Sequence, residues 1–530
     1  MAAGDDLKDW GKKAVKRLQA AREQKSMFES DFKEAYFFAA PHRRREVNST
    51  TQPTRTAKPD DEGLLQTSIA FELVPDFVTV VINSVMPEHE PWAERRKAPG
   101  VDQNAWDQVK EKVQQDDAAI FESMRASALY TEIGKGFSPD LAIGTCGLWI
   151  DDDKAFEPIR VLCVPIRELE LELGSTGEVD GRWVVRHRRA DEIPALLGKG
   201  VEIPADLTKQ FNQTPDRIHE VRWGFWRDRS ANDAETWEHV VMIGQRCIHH
   251  ATLKGQGCCP LLIGRWNPSP DHPWGYGPLV QALPELRQTD QLEANTTDAV
   301  DLAVRPPMSY PDDSFTNIED GIEAGAFYPV RPGTGGDIRP LYQVQTIDPA
   351  VMAREMKEKR LRKIFFVDYP VQSGDTPPSA TQWMDEMALA QRRLGTPGMP
   401  FWREFACQVF TRFGYLLKKR GIIVDHRVDG RSIGLFPSNP MQRAAELQEV
   451  SDNVRALQIA MQAFPEEFKM SIDGQATMKA LVDKLRASLI KFRSPQQIQA
   501  AVQGISQLMG GAPPAADPAG QVVPGAGIMQ

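Results

Sequence analysis

The stretch ELRQTDQLEANTTDAVD, residues 285–301, decides how this chain is read. It has the composition of a helix, yet Leu286 and Leu292 are its main large apolar residues before Ala299 and Val300. A helix without a broad apolar stripe either bridges solvent or packs sideways in an assembly. The stretch sits inside a longer alternation, Pro273 to Phe413: polar helix, Pro/Gly-rich β segment, basic helix, Gly/Pro loop, long helix. Nothing in that alternation has the pattern of a pocket built for chemistry. The expectation is a wall, made of rods that stay folded against neighbouring copies of themselves.

Working outward, the next helix begins at Pro349 with Asp348 as its N-cap, and carries Arg354, Lys357, Lys359, Arg360, Arg362 and Lys363 towards its end. Cations at a helix C-terminus complement its dipole, and Glu355 and Glu358 offer acidic neighbours, so a structural reading competes with one in which they meet phosphate. Residues 305–348 read as strands and turns, punctuated by Arg305-Pro306-Pro307 and Arg331-Pro332-Gly333. Residues 368–378 have no periodicity and read as a loop. Ser379-Ala380-Thr381 opens another helix, interrupted at 395–400 and resumed with Phe401, Phe405, Val409 and Phe413 on one face.

Upstream, residues 7–40 read as one helix stopped by Pro41, followed by an exposed loop over 42–62. Further helices are expected over 65–86, 104–126 and 131–143. From Leu148 to Trp266 the period shifts towards two, predicting a β-rich subdomain with helical insertions such as 191–197. Downstream, helices are expected over 441–464, 475–489 and 495–509, and the Pro/Ala/Gly-rich tail from Gly510 reads as disordered.

Composition narrows the function classes. The chain has 530 residues, 41% hydrophobic and 26% charged, with a formal net charge of −10. That acidity argues against wrapping nucleic acid with a basic surface. No apolar run reaches the length of a membrane span, and no hydrophobic signal core opens the chain. Six cysteines in this length fit a reducing compartment.

The sequence offers only fragments of enzyme signatures. Ile133-Gly134-Lys135-Gly136 lacks the upstream glycine and the hydroxyl residue of a phosphate loop, and Gly333-Thr334-Gly335-Gly336 has no lysine. Asp151-Asp152-Asp153 reads as a hairpin turn rather than a metal cluster. Cys247, His249, His250, Cys258 and Cys259 match no common zinc spacing. His42-Arg43-Arg44-Arg45 reads as a solvated or interface-facing run. No catalytic residue, metal or cofactor is expected.

The order of several short motifs resembles portal (head-to-tail connector) proteins of short-tailed, podovirus-like bacteriophages, over most of the chain. The residues are Ser84-Val85-Met86-Pro87 with Pro91-Trp92, Gly144-Thr145-Cys146-Gly147, Val164 to Leu169, Trp274-Gly275-Tyr276-Gly277-Pro278, Arg305-Pro306-Pro307, Ser379-Ala380-Thr381, Ile472-Asp473 and Arg493 to Gln497. Each is weak alone; their order is more specific.

The resemblance implies an α+β, mostly helical portal fold assembled as a ring. Its wing would be residues 1–272 and 380–435, its stem helices 273–304 and 349–366, and its clip 305–348. The tunnel loop would be 367–379, the crown 436–509, and 510–530 a flexible tail. It implies a homo-dodecamer at one capsid vertex, in the virion and in host cytoplasm during assembly, conducting double-stranded DNA without sequence preference during packaging and ejection.

Partners implied are the terminase large subunit, a tail adaptor protein, and the major capsid and scaffolding proteins, with no membrane insertion. The channel would be lined by Arg354, Lys357, Lys359, Arg360, Arg362 and Lys363, with Gln372, Ser373, Asp375 and Thr376 in the tunnel loop. Docking would use Asp312, Asp313, Phe315, Glu319, Arg331, Asp337 and Arg339. A different ring component such as a tail adaptor, or a metal-dependent DNA-processing enzyme, are the alternatives.

Overall fold

The computed structural model describes residues 2–43, 65–97, 103–152, 158–197, 201–230, 235–311, 326–330, 339–340, 348–368, 393–395, 397–428, 431–432, 434–438, 440–463, 477–478 and 481. It divides into two compact units, residues 1–443 and 444–530. The fold is mixed helix and sheet, mostly helical.

The first unit opens with α1 (Ala2–Ser26) and α2 (Glu29–Ala39). The single helix expected over 7–40 is therefore two, broken at Met27 and Phe28. The break lets each helix bury its apolar face against a different surface. α3 (Ile69–Val85), α4 (Gln103–Ala126) and α5 (Leu129–Ile143) follow the expected periodicities closely. β1 (Ala93–Arg96) lies between α3 and α4.

Two antiparallel sheets make the β-rich part. β2 (Thr145–Asp151) is central in the smaller, flanked by β3 (Arg160–Val164) and β9 (Leu261–Arg265). The larger is a meander of β4 (Leu169–Leu173), β5 (Val179–Arg189), β6 (Ile218–Arg227), β7 (Thr236–Ile243) and β8 (Arg246–Lys254). Short helices α6 (Ile193–Leu197) and α7 (Ala205–Gln213) fill the β5–β6 connection.

Both faces of the meander are covered. One carries Trp183, Val185, Trp226, Val240 and Met242, and buries them against Ala14, Leu18 and Ala21 of α1. The other carries Val184, Val221, Phe225, Val241 and Ile243 into the main core. This alternation is the period-two signal of the sequence, with apolar residues on both faces because both have a neighbour. Gly224 is dictated by this packing: a Cβ there would stand 2.2 Å from the Trp183 ring. α1 is fixed at its end by Lys25, which donates to the carbonyls of Arg167 at 3.0 Å and Leu169 at 2.6 Å.

The long polar helix is α8 (Pro278–Val304), and the basic one is α9 (Asp348–Ile364). Between them β10 (Met308–Pro311) pairs in parallel with β11 (Phe327–Val330) and antiparallel with β12 (Arg339–Pro340). Residues 397–401 are helical, so the resumption expected at Phe401 comes earlier. Trp402–Ala406 is a π-helical turn, and α10 (Cys407–Lys419) continues from it. The helix expected to open at Ser379 lies outside the described residues up to 392. β13 (Arg427–Val428) and β14 (Arg431–Ser432) form a hairpin, and β15 (Gly434–Pro437) pairs antiparallel with β1.

α11 (Pro440–Ala463) crosses the boundary of the two units in sequence. In the second unit its residues 444–463 are helical, as are 477, 478 and 481. The helix expected over 495–509, most of the one over 475–489, and the tail lie outside the described residues.

Candidate functional site

The stretch that framed the sequence reading, α8, is anchored at its start by two glycine motifs that meet. Trp266 N–H donates to the Gly144 carbonyl at 2.8 Å, and Gly277 N–H to the Ile143 carbonyl at 2.9 Å. The Gly275 N–H donates to Thr145 Oγ1 at 2.9 Å, in a buried position. A Cβ on Gly275 would lie 1.9 Å from the Gly144 carbonyl oxygen, and one on Gly277 would lie 2.1 Å from that of Ala142. Only glycine lets these backbones come so close. Pro278 then occupies the first helical turn, where its missing N–H costs nothing.

Pro278, Leu279, Ala282, Leu283, Leu286 and Thr289 are the buried residues of α8, and all lie in its first half. Its polar residues hold neighbours in the same chain, turn after turn. Glu285 takes Lys357 at 3.4 Å and Arg360 at 2.9 Å. Arg287 pairs with Glu34 of α2. Asp290 Oδ1 accepts the backbone N–H groups of Gln66 at 2.7 Å and Thr67 at 3.0 Å, just before α3. Glu293 faces Arg354 at 3.5 Å. Burial pushes the Glu293 carboxyl up, against the pull of Arg354.

The expectation that these rods are held only by sister copies is thus corrected for the first half of α8. The helix is polar because it grips α2, the start of α3 and α9 with side chains rather than with a greasy stripe.

α9 lies along α8 and ends in a buried plug. Leu361, Phe365 and Val367 are buried, and Phe365 meets Phe77 of α3 edge-on at 6.3 Å between centroids. Of the six candidate cations, Arg354, Lys357 and Arg360 are committed to acids on α8, Arg354 also to Glu358 at 2.9 Å. Lys357 further donates to Gln288 Oε1 at 2.6 Å. Lys359 and Lys363 are exposed and Arg362 half-buried. Among the described residues, no ion pair engages these three. Three of the six cations thus have acidic partners within the chain.

Gln372, Ser373, Asp375 and Thr376 lie outside the described residues, as do Asp312, Asp313, Phe315, Glu319, Arg331 and Asp337. Arg339 is described by its backbone, which pairs with Ser309 in the β10–β12 ladder. Sequence reasoning missed Glu285, Asp290 and Glu293 as tethers. Their partners are remote in sequence, and no local pattern marks them.

The other polar clusters are structural supports. Asp151 ends β2 and receives Arg412 at 3.4 Å, while Asp152 receives Arg420 Nε at 3.1 Å. Arg412 also donates to the carbonyls of Ile150 at 3.0 Å and Cys258 at 2.7 Å, pinning α10 to the β2–β3 hairpin. The Ile133–Gly136 segment is helical within α5, with Lys135 paired to Glu132 at 3.0 Å, so its backbone cradles nothing.

His250 Nε2 is bonded to Glu238 at 2.7 Å and stacks on Trp10 of α1 at 4.0 Å. Cys258 and Cys259 are buried, and burial pushes the Cys258 thiol up to about 12. Arg43 points inward, donating to the Ser138 carbonyl, and sits 3.9 Å from buried Asp140, which also accepts from Tyr36. Burial raises the Asp140 carboxyl, with Arg43 opposing. Arg44 and Arg45 lie outside the described residues.

No group of three or more metal-type ligands is brought together among the described residues. Among them too, no helix is long and apolar enough to cross a membrane.

Comparison with known proteins adds a family. The family described as "Bacteriophage head to tail connecting protein" matches the chain over residues 11–488. Among curated proteins none matches. Two solved assemblies contain similar chains. One is described as "Virion of native gene transfer agent (GTA) particle", at 14% identity and TM-score 0.35, covering 80% of this chain and 93% of that one. The other is described as "Neck of empty GTA particle computed with C6 symmetry", at 12% identity and TM-score 0.35, covering 78% and 90%.

Proposed function

The chain belongs to the bacteriophage head to tail connecting proteins, and from that premise we propose that it is the portal: a twelve-subunit ring at one capsid vertex that conducts double-stranded DNA. The observation that carries this reading is the family match over residues 11–488. The chain does no catalysis in this scheme. A motor ATPase drives the DNA, and this protein supplies the channel and the platform.

In this reading α8 and α9 form the stem. The ladder from Glu285 to Lys357 and Arg360 holds the two helices as one unit, and Asp290 and Arg287 tie that unit to α3 and α2. Three cations remain for the lumen: Lys359, Arg362 and Lys363. Sparse cations in a ring of acidic subunits suit DNA that must slide. Each neutralised phosphate releases counterions and adds affinity, so a basic lining would hold the genome still. Residues 305–348 would dock the terminase large subunit and afterwards the tail adaptor, with residues 367–379 as the valve and 436–509 as the crown inside the capsid. Major capsid and scaffolding proteins would surround the ring.

Negative-stain microscopy of the purified protein tests the reading. Rings with a central hole are expected; discrete single chains with no ring at any concentration would contradict it.

A further inference from the structure

The first two helices share one apolar line. Ala14, Leu18, Ala21, Phe28, Phe32 and Ala35 follow at helical intervals, with Lys25 in the place between Ala21 and Phe28. A straight helix would present them all to one side. The folded chain splits them instead. Ala14, Leu18 and Ala21 join the cluster on one face of the meander, and Phe32 and Ala35 join the main core.

Nothing local makes this bend. Neither Met27 nor Phe28 is glycine or proline, and no side chain caps α2. Phe28 stays in the right-handed helical region, at φ −108° and ψ −3°, with its N–H on the Lys25 carbonyl at 2.9 Å. Straightening there needs about 40° in each angle and trades that tight turn for the regular helical ladder. A bend that the local chain does not ask for is held by what α1 touches.

What α1 touches is a seat apart from the main core. Trp10 stacks on His250 at 4.0 Å, Arg17 reaches Glu172 at 3.6 Å, and Arg22 pairs with Glu220. Lys25 adds its bonds to the Arg167 and Leu169 carbonyls. All of these precede the bend, so they dock or leave as one body. Each would form equally well with the same seat on another copy.

We infer that α1 is an exchangeable strap. It opens at Met27 and Phe28, continues α2 as one helix, and seats on the meander of a second copy of this chain, whose own α1 is exchanged in turn. The seats are identical, so exchange loses no contact and relieves the bend. The 25 residues of α1 reach ~37 Å beyond the bend, enough to cross to an adjoining copy. The exchange goes beyond the portal reading and needs only a second copy, with neither a channel nor DNA.

Gly11 of α1 supplies the test. A Cβ there would stand 3.3 Å from the Cβ of Cys247, within a few tenths of an ångström of disulfide spacing. Two chains would be produced together, one with Gly11→Cys and Cys247→Ser, the other unmodified. Neither can close this bond within itself. The expected result after mild oxidation is a two-chain product on a non-reducing gel, absent when either chain is produced alone. Inserting Gly-Ser-Gly-Ser between Met27 and Phe28 should remove it, because a long slack hinge returns α1 to its own seat. No two-chain product from the mixture would overturn the inference.

A second pair of chains needs no cysteine. Arg17→Glu and Glu172→Arg each set like charges against one another when α1 keeps its own seat. Produced together they should melt above either alone, since exchange restores an ion pair in every mixed seat. A mixture melting no higher than its components would equally overturn the inference. Negative stain of the same samples separates the two readings: covalent pairs without rings would sustain exchange and contradict the portal, and rings without covalent pairs would do the reverse.

Discussion

Gly275 donates its backbone N–H to the hydroxyl oxygen of Thr145 at 2.9 Å, joining segments 130 residues apart at a buried point. This bond closes the knot from which α8 departs. Thr145→Val keeps the shape and removes the acceptor, leaving the Gly275 N–H unsatisfied. A loss of about 1–3 kcal/mol in unfolding free energy is expected by urea titration. Thr145→Ser should retain most of the stability. Equal stability of the valine variant would show that the bond does not hold the knot.

Gly224 lies beneath the Trp183 ring, where any Cβ would intrude to 2.2 Å. Gly224→Ala is expected to cost about 1–3 kcal/mol through overpacking beneath α1. Thermal melting would show the loss, and protease sensitivity of α1 should rise with it. An unshifted melt would mean that the α1 face of the meander has more room than the ring contact implies.

His239 stacks on Phe225 at 4.4 Å, and its Nε2 is buried with no hydrogen-bond partner among the described residues. Burial, with His249 and His250 adding to it, lowers its pKa to about 3. The folded state therefore binds this proton more weakly than the unfolded chain, whose histidine titrates near 6.5. Above pH ~6.5 both states are neutral there, and the group has no pH effect. As pH falls from there towards 3, the unfolded state alone gains the proton, and stability drops by up to roughly 1.4 kcal/mol per unit. His239→Phe should flatten the difference in urea midpoint between pH 7 and pH 4 relative to the unmodified chain. An identical acid loss in both would place the titrating group elsewhere.

Glu285 stands between Lys357 and Arg360 and is only 14% exposed. Glu285→Gln leaves two cations beside a half-buried amide. A loss of about 1–2 kcal/mol is expected, shrinking as salt is raised because Arg360 is largely exposed. Arg360→Gln alone should cost less than about 1 kcal/mol. Equal effects for the two variants, insensitive to salt, would contradict a charge-based ladder.

Much of this fold was legible where the determinants were local. Val78, Val81, Ile82 and Val85 repeat at helical spacing, and α3 is a helix; β2 ends at Asp151 and pairs antiparallel with β3. What stayed hidden depends on distant partners. The short β1 pairs with β15 some 340 residues later, and Ala93 gives no hint of Pro437. The two glycine motifs are each recognisable, but their meeting at Gly144 and Gly275 is a property of the packed chain.

The polarity of α8 was read correctly and explained incompletely. Glu285, Asp290 and Glu293 looked like residues without a core, and they are residues with remote partners. Gly395 and the prolines predict a gap over 395–400, yet Pro397 and Pro400 lie in the helical run that leads into the π turn at Trp402.

The claim on which the function rests is assembly, and the mass of the particle in solution tests it most directly. Sedimentation equilibrium over a wide concentration range should give a species near twelve times the chain mass of 59.3 kDa, persisting on dilution. A single species at the mass of one chain across the whole range would contradict the account.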